Sequence, residues 1–146
     1  MNKLMCPLVI AVSCLFGPFT SAQKIDCGKL TISAEQVQCA DQELAAAEAD
    51  LKEALSAALQ QYSETPPEED TPLPKSEERE QRRYDARMRR SLLASQKAWV
   101  RYQTAACSSV AVMFEGGTIT ASEVPLCQAA LARERANFLR DYFAEK

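Results

Sequence analysis

Three stretches of the chain place apolar residues at intervals of three and four, which is the spacing of a helix with one buried side. Alternation of apolar and polar residues, the mark of a strand, is too sparse to count. The sequence therefore predicts an all-α fold, a helical bundle of three main helices. The side chains expected to be buried are Leu44, Leu51, Leu55, Ala58, Leu59 and Tyr62 in the first helix; Tyr84, Met88, Leu92, Ser95, Trp99, Tyr102 and Ala106 in the second; and Leu126, Ala130, Leu131, Phe138, Leu139, Tyr142 and Phe143 in the third.

Capping signals predict where these helices begin and end. Ser33, followed three residues later by Gln36, forms a capping-box pattern that starts a short N-terminal helix ending near Cys39. Asp41 then has the side chain of an N-cap for the first main helix. The second main helix is expected over residues 77–113, and a glycine of the pair at 116–117 takes the left-handed position that closes it. The third is expected to start at residue 122 or at residue 125.

Residues 63–76 interrupt the helical pattern. Prolines alternate there with acidic residues, and proline lacks the amide hydrogen that a helix interior needs. We therefore expect an exposed, acidic, proline-rich loop between the first two main helices. The residues concerned are Pro66, Pro67, Pro72 and Pro74, with Glu64, Glu68, Glu69 and Asp70.

The first 22 residues have the layout of a secretory signal peptide. Lys3 precedes an apolar stretch, and Thr20-Ser21-Ala22 provides small residues for cleavage. The apolar stretch is too short and interrupted to be a transmembrane segment. A lipid anchor at Cys14 is the alternative, but Ala11 stands where lipoprotein signals usually carry leucine. The sequence thus predicts a periplasmic or secreted protein with one mature domain, residues 23–146.

Four cysteines remain after removal of the signal peptide: Cys27, Cys39, Cys107 and Cys127. In an exported protein this number indicates two disulfides, for which three pairings exist. Zinc is disfavoured because the cysteines are not arranged in closely spaced pairs. We favour Cys27–Cys39, which closes the short first helix, and Cys107–Cys127, which an antiparallel helical hairpin brings together.

Composition argues against catalysis. The chain contains no histidine and only four glycines among 146 residues. A Ser-His or Cys-His pair is therefore impossible, and no glycine-rich phosphate-binding loop is present. We expect no enzymatic activity, no cofactor and no metal. Nucleic acid is also an improbable partner, because the chain is exported and carries a net charge of −3.

An ordered set of residues resembles the LprI-type lysozyme inhibitor family, in the form of its N-terminal domain. The set comprises Cys27, Glu35-x-x-x-Cys39, Leu44, Tyr62, Gln96-x-x-Trp99, Cys107, Gly116-Gly117-Thr118, Cys127-x-x-x-Leu131 and Arg135, and it spans nearly all of the mature chain. The resemblance implies an exported helical protein and, as its partner, lysozyme or a related peptidoglycan-degrading enzyme. It implies a mechanism in which the partner's cleft is occluded without chemistry by this chain.

The turn between the second and third helices is the first candidate for a binding site. A loop tied at both ends by a disulfide is rigid and loses little entropy when it enters a cleft. The candidate partner-binding residues are Glu115, Gly116, Gly117, Thr118 and, beside Trp99, Arg101. For Trp99 itself we favour a place in the core.

Two alternative functions remain open at this level. One is an envelope structural or adaptor protein, which would use the arginine-rich stretch of residues 79–90 or the acidic loop. The other is an immunity protein against a delivered wall-cleaving toxin. For the arginines, opposite charges four residues apart, Glu78 with Arg82 and Asp85 with Arg89, favour an ordinary solvated face over a functional basic patch.

Overall fold

Three long helices make up most of the part of the chain that the computed structural model describes: residue 27 and residues 33–63, 74–115 and 117–143. Helix α1 is Ser33–Gln60, α2 is Lys75–Met113 and α3 is Thr120–Phe143, and no strand occurs among these residues. The predicted all-α class with three main helices is confirmed. The predicted signal peptide, residues 64–73 of the acidic loop and Gly116 lie outside the described residues.

The predicted helix boundaries need three corrections. Residues 33–39 are not a separate helix; they are the first turns of α1, which continues through Asp41. No glycine or proline occurs between Ser33 and Gln60, so nothing in the backbone favours a break there. Lys75 and Ser76 belong to α2 rather than to the loop, and α3 begins at Thr120, before either predicted start.

Helices α1 and α3 pack side by side in parallel. Arg133 contacts Glu43 and Arg140 contacts Asp50, so both ion pairs join residues ninety positions apart. The buried residues repeat at intervals of three, four or seven in both helices, the repeat of helices that stay in contact along their length. They are Ala40, Ala47, Leu51, Ala54 and Ala58 in α1, where the disulfide-bonded Cys39 is buried as well, and Ser122, Ala129, Ala132, Ala136 and Leu139 in α3.

Alanine therefore dominates this contact, and the predicted buried side of α3 was largely wrong. Of its seven residues only Leu139 is fully buried, whereas Leu126, Phe138 and Tyr142 are exposed. Close approach of α1 and α3 leaves room mainly for methyl groups. Leu51 and Leu139 are the two larger side chains buried there, and the other large side chains of α3 lie on the flanks. The prediction of buried residues in α1 agrees better with the structure, because the predicted leucines lie in the core or pack against it.

Helix α2 runs antiparallel to α3 and buries very little of itself. Only Asp85, Leu92 and Cys107 are buried along its 39 residues. Of the predicted face, Tyr84, Ser95 and Tyr102 are exposed, so that prediction was wrong for these three residues. Trp99 is half-buried and packs against the core, as expected.

Polar side chains attach α2 to its neighbours. Gln103 donates from Nε2 to the carbonyl of Gln128 at 2.9 Å, and Arg135 donates from Nε to Oε1 of Gln96 at 3.2 Å. Arg135 also donates to the hydroxyl of Ser95 at 2.5 Å. Burial lowers the pKa of Arg135, since burial disfavours the charged form. Hydrogen bonds thus supplement the limited apolar packing of α2, which Leu92 and Trp99 provide.

Both predicted disulfides are confirmed. Cys27 is bonded to Cys39 and Cys107 to Cys127, with a Cα–Cα distance of 5.7 Å in each pair. Because α1 and α3 are parallel with an offset of ninety residues, Cys39 lies level with residue 129, close to Cys127. Both disulfides therefore join the chain at the same end of the bundle, the end that carries the turn between α2 and α3.

Enlarging an alanine at the α1–α3 contact should destabilise the protein. Ala132 is fully buried there, so Ala132→Leu should lower the free energy of unfolding by about 1–3 kcal/mol through overpacking. Ala130→Leu is the matched control, because Ala130 is exposed on the same helix. Urea unfolding followed by circular dichroism measures both variants. Equal stabilities would contradict the close contact.

Reduction of the disulfides should leave the fold marginal. The bridges close loops of 12 and 20 residues, and each loop closure contributes about 3 kcal/mol. Domains of this kind are stable by only about 5–15 kcal/mol. Thermal unfolding by circular dichroism, with and without reductant, tests this. An unchanged melting temperature after complete reduction would refute it.

Candidate functional site

The turn that joins α2 to α3, together with the helix ends beside it, forms what we name the hairpin end: residues 112–123. Its base is clamped by the buried Cys107, which is bonded to Cys127. The chain leaves α2 through Phe114 and turns back through a series of short backbone hydrogen bonds. Gly117 donates to the carbonyl of Phe114 at 3.0 Å, and Thr120 donates to that of Gly117 at 2.9 Å.

Glu115 has a backbone conformation that is unusual for its residue type. Its φ is +51°, in the left-handed region that favours glycine. The prediction that a glycine closes α2 in this conformation is therefore wrong, because the left-handed residue directly after the C-cap Phe114 is Glu115. Gly117 has a different role: a Cβ there would lie 3.3 Å from the carbonyl oxygen of Phe114, so a side chain would crowd the turn.

Large apolar side chains project from the hairpin end into solvent. Val112 is 76% exposed and Met113 is 74% exposed, and Ile119 across the turn is about half exposed. Exposed apolar side chains that lie close together are a candidate surface for binding another molecule. Glu115, Gly117 and Thr118 are exposed beside these residues.

The charge of this region is uniform in sign. No lysine or arginine occurs from residue 102 to residue 132, whereas Glu115 and Glu123 lie in that interval. The hairpin end therefore presents an apolar surface with acidic groups and no basic group. Such a surface complements a partner whose binding cleft is apolar and positively charged.

The structure separates Arg101 from the other candidate residues. Arg101 lies twelve residues before the end of α2, about 18 Å along the helix axis from Met113. It is two residues from Gln103, which contacts α3, and so points to nearly the opposite side of α2. The hairpin end thus brings together Glu115, Gly117 and Thr118 but not Arg101.

Sequence reasoning did not single out Val112, Met113 and Ile119. Val112 and Met113 follow Ala106, the last residue of the face expected to be buried in α2, and Ile119 lies in the turn. An apolar residue at such a position is compatible with either a core or a surface role. The absence of basic residues from 102 to 132 is visible in the sequence and is the signal that would have directed attention to this end.

Neither a cluster of potential metal ligands nor a membrane-spanning helix occurs in the described ranges. They contain no group of three or more histidine, cysteine or acidic side chains placed to hold a metal ion. None of the three helices combines the length and apolarity needed to cross a bilayer.

Fold and site together define a small all-α protein, stapled by two disulfides, whose clamped hairpin end exposes apolar side chains. A family model described as lysozyme inhibitor LprI matches residues 27–139, which include both disulfides and the hairpin end. The chain belongs to this family. Searches of curated proteins and of solved structures found no match. The disulfides and the family together fit a protein that works outside the cytoplasm.

Replacing Glu115 with glycine should stabilise the fold. A left-handed conformation costs a non-glycine residue about 1 kcal/mol, and glycine adopts it without a Cβ penalty. We expect Glu115→Gly to raise the free energy of unfolding by up to about 1 kcal/mol, measured by thermal unfolding. Glu115→Ala is the control, since it removes the carboxylate but keeps the Cβ. A glycine variant no more stable than the alanine variant would argue against backbone strain at this position.

Proposed function

We propose that this protein is an exported inhibitor that occludes the cleft of a lysozyme or a related peptidoglycan-degrading enzyme. The hairpin end enters the cleft, and the chain performs no chemistry of its own. The observation that carries this proposal is the exposure of Val112 and Met113 beside a turn that a disulfide clamps. The family supplies the class of partner.

Rigidity supports this role for the hairpin end. A flexible loop would lose conformational entropy on entering a cleft, whereas a loop already held by Cys107–Cys127 loses less. Glu115 adds a second argument. A residue held in a costly conformation, where glycine would be easier, points to a use for its side chain. In the proposed complex its carboxylate faces cationic groups of the enzyme.

Charge supports the encounter with a cationic enzyme. The full chain has a net charge of −3, and removal of the predicted signal peptide, residues 1–22, would take Lys3 with it. An acidic protein attracts a basic partner over distances of several ångströms and raises the rate of association. The region from 102 to 132, free of basic residues, directs that attraction to the hairpin end.

Polar substitution at the hairpin end should weaken inhibition. We expect Val112→Ser/Met113→Ser to raise the concentration needed for half-inhibition of lysozyme by at least about tenfold, because apolar anchors at the centre of an interface carry most of its binding energy. Leu93→Ser/Val100→Ser is the matched control, since both residues are 47% exposed on the same helix, outside the hairpin end. Clearing of a peptidoglycan suspension measures enzyme activity.

Each outcome of this assay has a defined meaning. If the unaltered protein does not inhibit several types of lysozyme at micromolar excess, lysozyme is not the partner. An adaptor or an immunity protein would then be the function to test, by capture of its endogenous partner or of a co-encoded toxin. If the unaltered protein inhibits but both double variants inhibit equally well, the inhibitory surface lies outside the hairpin end.

A further inference from the structure

The solvent-facing side of α2 carries a row of basic side chains that the proposed inhibition does not use. We name it the cationic stripe. At 100° per residue its members fall within an arc of about 80°, on the side of the helix away from the buried Leu92. It extends about 33 Å along the helix axis. Its members, all exposed, are Arg79, Arg83, Arg87, Arg90, Lys97 and Arg101.

From the sequence, we expected two ion pairs, Glu78 with Arg82 and Asp85 with Arg89, to give this stretch an ordinary solvated face. The structure contains only the first of them. Arg82 pairs with Glu78 at 3.4 Å. Asp85 instead accepts a hydrogen bond from Gln81, and Arg89 donates to the carbonyl of Leu59. The acidic residue nearest to the stripe on α2 is Glu80, which lies just outside the arc.

The members of the stripe have no ion pair within the described part of the chain. Helix α2 holds nine basic and four acidic residues, and the excess of positive charge lies on this face. Arg79 and Arg83, Arg83 and Arg87, and Lys97 and Arg101 are like charges four residues apart, which destabilise a helix. A row of uncompensated cations on one face is therefore an arrangement that an anionic ligand would stabilise.

We propose that the cationic stripe binds a linear polymer that carries repeated phosphate groups. Arginine suits this ligand because its planar guanidinium donates two hydrogen bonds to one phosphate. The stripe is long and narrow, so its shape matches a single extended chain, with successive phosphates meeting successive cations.

The other residues within the arc favour such a polymer over two alternative polyanions. Among the cations of the stripe the arc contains Ala94, and beyond Arg101 it contains Ala105, Ser108 and, in the hairpin end, Val112. An anionic bilayer binds helices that present large apolar side chains beside their cations, and within the arc the stripe has none among its cations. Single-stranded nucleic acid binds where aromatic side chains stack on bases, and no aromatic residue of α2 falls within the arc.

This site is independent of the hairpin end. Arg101, the member of the stripe nearest to the hairpin end, lies about 18 Å from Met113 along the helix axis, and Arg90 lies about 35 Å from it. One protein molecule could therefore hold an anionic polymer with α2 and an enzyme with the hairpin end. Retention on a polymer of the envelope would concentrate the inhibitor where wall-degrading enzymes act.

Titration of the full mature protein with long-chain inorganic polyphosphate, followed by calorimetry, tests the proposal. We expect saturable binding at about 50 mM salt that weakens at least about tenfold at about 200 mM, because binding releases counterions from the polymer. Orthophosphate should not compete at the same phosphate concentration. Absence of polyphosphate binding at the lower salt concentration would overturn the proposal.

Two double variants locate the site. Arg83→Gln/Arg90→Gln removes two members of the stripe, and Arg82→Gln/Arg89→Gln removes two arginines one position earlier, about 100° around the same helix. Both change the net charge equally. We expect the first to weaken polyphosphate binding about tenfold or more and the second less than about threefold. Circular dichroism verifies that both variants are folded.

Two other results would overturn the proposal. Equal weakening by the two double variants would show that net charge, not the stripe, determines binding. Tighter binding to phosphatidylglycerol vesicles than to polyphosphate, lost in Arg83→Gln/Arg90→Gln, would make a bilayer the ligand. Neither result depends on lysozyme inhibition, so this proposal and the proposed function fail separately.

Discussion

The close, alanine-lined contact between α1 and α3 is the constraint on which the rest of the structure depends. Alanine lets two helices approach closely, and the spacing of the buried residues by three, four and seven keeps them in contact along their length. The alanine methyl groups, with Leu51 and Leu139, fill the space between the helices. Large apolar side chains of α3, such as Phe138 and Tyr142, are therefore displaced to its flanks, where they remain exposed.

The weak apolar attachment of α2 follows from this arrangement. The small residues of α3 pack against α1. On the side of α3 that faces α2 lie Gln128 and Arg135, which form hydrogen bonds with Gln103 and Gln96 of α2. Directional hydrogen bonds and one disulfide then hold α2 in register with α3. Because α2 buries so little of its surface, one face is free to carry charge and its end is free to expose apolar groups.

The class of fold and the disulfides could be predicted from the sequence because they depend on local signals. Helical periodicity, the proline-rich interruption and the spacing of four cysteines each act over short distances. The buried face of α3 could not be predicted by weighting large apolar residues, since the partner helix determines whether a methyl group or a ring fits. Glu115 shows a similar limit. Because glycine favours the left-handed conformation, the glycine pair that follows Glu115 was the natural candidate for a position that Glu115 itself occupies.

The candidate site was predictable in position but not in composition. A turn between two cysteines was expected to be rigid, and the structure places Glu115, Gly117 and Thr118 there. Val112 and Met113 were missed because an apolar residue at a helix end is compatible with burial, and only the position of α3 determines that they are exposed. Arg101 was grouped with Glu115, Gly117 and Thr118 because it is near Trp99 in the sequence, although the length of α2 places it far from the hairpin end.

Both disulfides lie at one end of the bundle, so the two ends should differ in how readily they open. At the opposite end, Tyr62 meets the ring of Tyr84 edge-on and Arg89 reaches a carbonyl of α1, without a covalent tie among the described residues. Local opening should therefore be most frequent at that end and become rarer toward Cys127. Amide protons near Tyr84 would exchange with solvent well before those near Cys107, and the hairpin end would be the last part of the described bundle to open.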